Sequence, residues 1–194
     1  MRRLLVCLVV AACGGDDGRG STPVDGSTAG GTTVTGTIHG LDFGIVDAAS
    51  AVAHNGTGTS SFATIILSSH SGICADANAD VIRANRRELV LFVGVGSGNS
   101  LAAPTSTGTF AVASPGNGPY STVTAEVVDG ACAPVTSDTA SAVSGSTTLT
   151  AIDGDRFAGT FDVTFDSGDH VTGSFDPQGC AAIGQGASQQ PTCQ

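Results

Sequence analysis

The chain contains no lysine and no tryptophan, a single tyrosine, and only two glutamates, Glu88 and Glu126. Charged residues fill 12% of its 194 positions, about half the usual share. All seven basic residues are arginines; against 17 acidic residues they leave a net charge of −10. That balance lacks the electrostatic footprint of a phosphate-backbone binder, so nucleic acid is not an expected partner. The one basic cluster, Arg83, Arg86 and Arg87, reads as the solvated face of a short helix. No apolar run approaches the ~20 residues that a membrane-spanning helix needs. In place of charge stand serine, threonine and 28 glycines, the mixture of many short strands joined by tight turns. Hydrophobic residues at 40% are enough to bury a core. Once two atypical ends are set aside, roughly 150 residues remain, the size of one domain.

The first of those ends has a definite order. Arg2 and Arg3 precede the apolar run LLVCLVVAA, residues 4 to 12, and the small residues Ala11 and Ala12 precede Cys13. Positive start, short apolar stretch and small-residue site make a secretory signal. The segment resembles a bacterial lipoprotein signal, with Val10-Ala11-Ala12-Cys13 as the lipobox. Cys7 does not compete, because bulky Val6 stands immediately before it. The resemblance implies cleavage before Cys13, lipidation of its sulfur and amine, and, with Gly14 next, the outer membrane of a Gram-negative cell. An ordinary signal peptide cut near the same place is the alternative. Removing Met1 to Ala12 takes two arginines with it, leaving five against 17 acidic side chains, net −12. Residues 14 to 31, GGDDGRGSTPVDGSTAGG, have no apolar periodicity and read as a flexible tether spanning about 23 Å.

The expected β domain covers residues 32–183, with a tail over 184–194. Period-2 alternation is clearest in FAGTFDVTF, where Phe157, Gly159, Phe161, Val163 and Phe165 share one face. Val171, Gly173 and Phe175 repeat the pattern beyond a turn at 166–169, and STTLTAI precedes an Asp153-Gly154-Asp155 turn. These three strands form a meander. Further strands are expected in VTGTIHGLDF, GIVDAASAVAH, SSFATIILSS, ELVLFVGVG, TGTFAVAS and STVTAEVVDG. FATIILS and ELVLFVGVG are apolar on both faces and so belong at the centre, covered on two sides. The segment 72–89 suggests a helix of two or three turns. The expectation is an all-β antiparallel sandwich or closed barrel of about nine strands with one short helix. The C-terminal string STTLTAIDGDRFAGTFDVTFDSGDHVTGSFDPQGC also resembles domains of uncharacterised secreted bacterial lipoproteins, a likeness that implies a recurring β domain and no activity.

With Cys13 assigned to lipid, Cys74, Cys132, Cys180 and Cys193 remain, and four cysteines in an exported chain read as two disulfides. The favoured pairs are Cys132–Cys180 and Cys74–Cys193, with a local Cys180–Cys193 bridge as the alternative. His70 four residues before Cys74 falls short of a zinc pattern without a second pair. DANAD, residues 76 to 80, imitates the start of a calcium loop. Val81 and Arg87 occupy the places that need glycine and a bidentate acid. Asp153 with Asp155, and Asp166 with Asp169, read as aspartates of ordinary turns, with calcium at the turn tips as the alternative. GVGSGN, residues 94 to 99, lacks a third glycine and a following helix, so it reads as a hairpin and not a nucleotide loop. No Gly-x-Ser-x-Gly elbow is present, His170 lies on the polar face of its strand, and nothing in the spacing brings Glu88 and Glu126 together as a glycosidase would need. No catalytic residue, metal or cofactor is assigned. The expected role is structural or interactive, with the membrane reached through Cys13 and an unknown protein as partner. The alternative is a lipocalin-like module for a small apolar ligand, with Gly159, Gly173 and Ala125 leaving room inside.

Overall fold

A computed structural model describes residues 31–54, 60–98, 100–185 and 191–194. The signal, Cys13 and almost all of the tether therefore lie outside the described residues. The strands follow in chain order: β1 (Thr33–Thr35), β2 (Asp47–His54), β3 (Ser61–Ser68), then helix α1 (Ile73–Ala79) and β4 (Val81–Ile82). Next come β5 (Arg87–Ser97), β6 (Ser100–Ala102), β7 (Gly108–Ala111) and β8 (Gly118–Val127). The chain then forms β9 (Ala140–Asp153), β10 (Arg156–Phe165), β11 (His170–Phe175), β12 (Gln178–Gly179), helix α2 (Ala181–Gly184) and β13 (Thr192–Cys193).

Eleven strands make one sheet in the order β1-β11-β10-β9-β8-β5-β3-β2-β12, with β6 on β5 and β7 on β9; β13 and β4 pair separately. The meander β9-β10-β11 and the central positions of β3 and β5 match the sequence pattern. The all-β class holds, but a closed barrel does not: the sheet curls into a half-barrel around the core. Two bulges help to bend it. Thr150 and Val143 are each skipped in the β9–β10 register, which also explains why Val143 is 61% exposed.

Alternation builds the core. Phe157, Phe161, Phe165 and Phe175 from β10 and β11 meet Ile65, Leu67, Leu89 and Leu91 from β3 and β5, all at most 3% exposed. Contact between β2 and the start of β10 is made through side chains and not by a ladder. The buried Ser50 hydroxyl donates to the Asp155 carbonyl at 2.8 Å and accepts the Phe157 N–H at 3.1 Å. Asp155 itself accepts the Val52 N–H at 2.9 Å. One turn aspartate thus holds the edge of β2 against the start of β10.

The short helix expected within 72–89 forms as α1, about two turns long, but three expectations need correction. A second helix, α2, joins it, because the segment after Cys180 turns back onto β2. Val81 and Ile82 do not lie on α1, because Asp80 takes φ 54° and this β-branched pair is extended. Arg83, Arg86 and Arg87 therefore do not share a helix face; Arg83 grips Asp76, Arg86 approaches Glu88, and Arg87 opens β5. The disulfides also differ from the favoured pairing: Cys74 bonds Cys180 and Cys132 bonds Cys193. The reason is that α2 folds back onto the outer face of β2. Its Gly184 lies so close that an added Cβ would stand 2.3 Å from the Val52 carbonyl oxygen. Cys180, at the head of α2, meets α1 there. The chain end instead runs parallel to β4, beside Cys132.

Candidate functional site

The charged residues that the sequence scatters converge on the outer face of β2, β3, β5 and β8. In register, one line across these strands reads Asp47, Ser68, Glu88, Glu126. Strand alternation puts all four on the side away from the core. Asp47, 4% exposed, has a structural task. Its Oδ2 accepts the Gly72 and Ile73 N–H groups at 2.7 and 3.1 Å, and its Oδ1 accepts that of Ala48 at 2.8 Å. It caps the start of α1 from a neighbouring strand, since Gly72 has no side chain to do so.

Beside it, a recess of about 100 Å³ opens between α1 and the sheet, lined by His70, Asp76, Arg83, Arg86 and Glu88 among others. Glu88 is 5% exposed. Its carboxyl sits above the ordinary range because burial disfavours the charge; Arg86 opposes this, and Glu126 adds to it. Arg86 stands 3.3 Å from Glu88. Asp76 is gripped by Arg83 through Nε, at 3.1 and 2.9 Å, and through a terminal nitrogen at 2.6 Å. Hydrogen bonding and charge from Asp76 hold the Arg83 guanidinium above its usual value.

Glu88 and Glu126 are thus direct cross-strand neighbours, against the sequence expectation. The signal that would have found them is their placement on the outward face of two strands that pair. Chemically, the cluster can hold and exchange a proton at Glu88. Its cations are already engaged with carboxylates, and the recess has room for a few waters.

The other candidates fall elsewhere. The His70 Nδ1 lies 3.4 Å from the Ser69 hydroxyl, its N–H donates to the Ser68 hydroxyl at 3.2 Å, and Cys74 is bonded to Cys180. Asn78 donates back to the Cys74 carbonyl, so DANAD serves its own helix. Among the described residues no group of three or more His, Cys, Asp or Glu side chains gathers around a metal-sized site. Residues 94–97 of β5 pair antiparallel with β6, and Asn99 lies outside the described residues. His170 is exposed, yet its Nε2 lies 2.7 Å from Asp162 Oδ1. Gly159 and Gly173 face backbone at close range, since an added Cβ would lie 2.0 Å from the Thr148 oxygen and 2.3 Å from the Thr33 oxygen. Their smallness serves close approach of strands. A larger open recess of about 540 Å³ lies beside Val127, Val128, Pro134 and Ala140, with Cys132 at its rim. No helix among the described residues is long and apolar enough to cross a membrane. No family model, curated protein or solved structure matches the chain.

Proposed function

We propose that the chain is a lipid-anchored, extracytoplasmic β domain with a non-catalytic structural or interaction role, held at the outer membrane through Cys13. The observation that carries this reading is the pairing of all four remaining cysteines into two disulfides across distant parts of the chain. Such bonds persist in oxidising compartments, which agrees with the lipoprotein-like signal. The engagement of Glu88, Asp76, Arg83 and Arg86 with one another, and of Asp47 with α1, supports a scaffolding task for the charged cluster.

Metabolic labelling with a fatty-acid analogue in a Gram-negative host tests the anchor. Label should enter the chain and disappear in Cys13→Ser. An unlabelled chain, or equal labelling of the variant, would overturn the reading. A second reading, a module for a small apolar ligand, draws support from the 540 Å³ recess with its valines and proline. Native mass spectrometry separates the two: a retained extra mass favours the ligand, and a bare protein favours the interaction domain.

A further inference from the structure

The two bridges sit in unlike surroundings. Cys180, 2% exposed, packs with Ala49, Ile73, Ile66 and Ile183 in a small apolar cluster under the helices. Cys193 is exposed, and Cys132 is half-buried at the rim of the open recess of about 540 Å³. Thiol–disulfide exchange needs an incoming thiolate to reach one of the two sulfurs, so access decides which bridge reacts first.

The exposed bridge also has something to release. Residues 191–194 form a strap along β4. The Thr192 N–H donates to the Asp80 carbonyl at 2.8 Å and the Gln194 N–H to the Ile82 carbonyl at 3.0 Å. The Ala84 N–H donates in return to the Gln194 carbonyl at 2.8 Å, and Arg83 reaches the Gln194 side-chain oxygen at 3.4 Å. Among the described residues β4 pairs with β13 alone. A two-residue ladder on exposed residues is a weak hold by itself, so the covalent bond is what keeps the strap down. β4 also divides the two recesses: Val81 and Arg83 line the smaller, Ile82 and Cys132 line the larger, and Arg86 borders both.

We propose that Cys132–Cys193 is an exchange site for a dithiol reductant, whose action lifts the strap and remodels the surface between the recesses, while Cys74–Cys180 stays closed. A thiolate of the reductant attacks the exposed Cys193 sulfur, the S–S bond breaks, and Cys132 leaves as a thiolate. The second thiol of the reductant, deprotonated, attacks its partner sulfur in the mixed disulfide and frees Cys193. The two protein thiolates take up the two protons that the dithiol gave up, and the reductant becomes a disulfide. With the strap lifted, β4 has an open backbone edge beside Ile82 and Arg86, and the domain presents a different contact surface. The inference goes beyond the interaction reading and does not depend on the anchor at Cys13.

The test is a stepwise titration of the full chain with dithiothreitol, in non-ionic detergent and after free thiols have been blocked with iodoacetamide. New thiols are capped with N-ethylmaleimide and located by peptide mapping, and hydrogen exchange is measured on the partly reduced chain. The cap should enter Cys132 and Cys193 while Cys74–Cys180 remains closed. In that species the Ala84, Thr192 and Gln194 amides should lose protection, and β3 and β5 should keep theirs. Cys132→Ser with Cys193→Ser should show the same local loss without reductant; if that variant misfolds, the partly reduced parent decides alone. Opening of Cys74–Cys180 first, or together with the other bridge, would overturn the proposal. So would a strap that keeps its protection once its bridge is gone, or a loss of protection that spreads across β3 and β5.

Discussion

At Glu88, burial and a neighbouring carboxylate work against a single ion pair. Because its carboxyl is raised in the fold from the usual 4.5, the folded chain holds that proton more tightly than the unfolded chain does. The resulting stability is fully present below pH 4.5 and is lost as pH rises through the folded value. Glu88→Gln keeps the volume and leaves an oxygen for Arg86, so it should remove this loss. We expect urea unfolding to show the variant gaining stability over the parent between acidic and neutral pH. A parallel pH dependence of the two proteins would contradict it. At this scale the sequence shows the residues but not their meeting, because Glu88 and Glu126 are neighbours only through the β5–β8 register. Asp47 was equally hidden: a carboxylate heading an apolar strand gives no sign that a helix start will reach it.

Elements were more legible, because period-2 alternation and Asp-Gly turns are local properties. The meander and the two central strands follow from pattern alone. The two-turn helix follows from the alanines of 75–79, but its end at Asp80 and Val81-Ile82 does not, and of the arginines beyond, Arg83 and Arg86 flank a turn while Arg87 opens β5. The curl was not legible either, as it depends on bulges at Thr150 and Val143 and on glycines that let strands approach. Gly173 offers the sharpest test at this level. A β-carbon there would stand 2.3 Å from the Thr33 oxygen and 2.6 Å from the Phe161 ring. Gly173→Ala should cost about 1–3 kcal/mol and loosen β1 from β11. Hydrogen exchange should then show Thr33–Thr35 losing protection while β3 and β5 keep theirs. Retained protection at β1 would mean that the strand is held by something other than this contact.

For the whole molecule, the bridges matter most. Cys74–Cys180 and Cys132–Cys193 close sequence separations of 106 and 61 residues, and each should stabilise by about 4–5 kcal/mol on the chain-entropy model. Peptide mapping without reduction should recover these two linkages, and reduction should lower the unfolding midpoint sharply. Recovery of Cys132–Cys180 with Cys74–Cys193 would refute the pairing. Spacing alone could not choose among the connectivities, because the choice is made by α2 folding onto β2 and by the chain end running beside β4. Both bridges also draw one partner from the final fifteen residues. A chain emerging from its N-terminus exposes Cys74 and Cys132 long before either native partner exists, and among the described residues those two early thiols have only each other to pair with. Oxidation that runs ahead of chain completion therefore traps a wrong bond, so orderly maturation depends on a reductant or isomerase until Cys180 and Cys193 arrive.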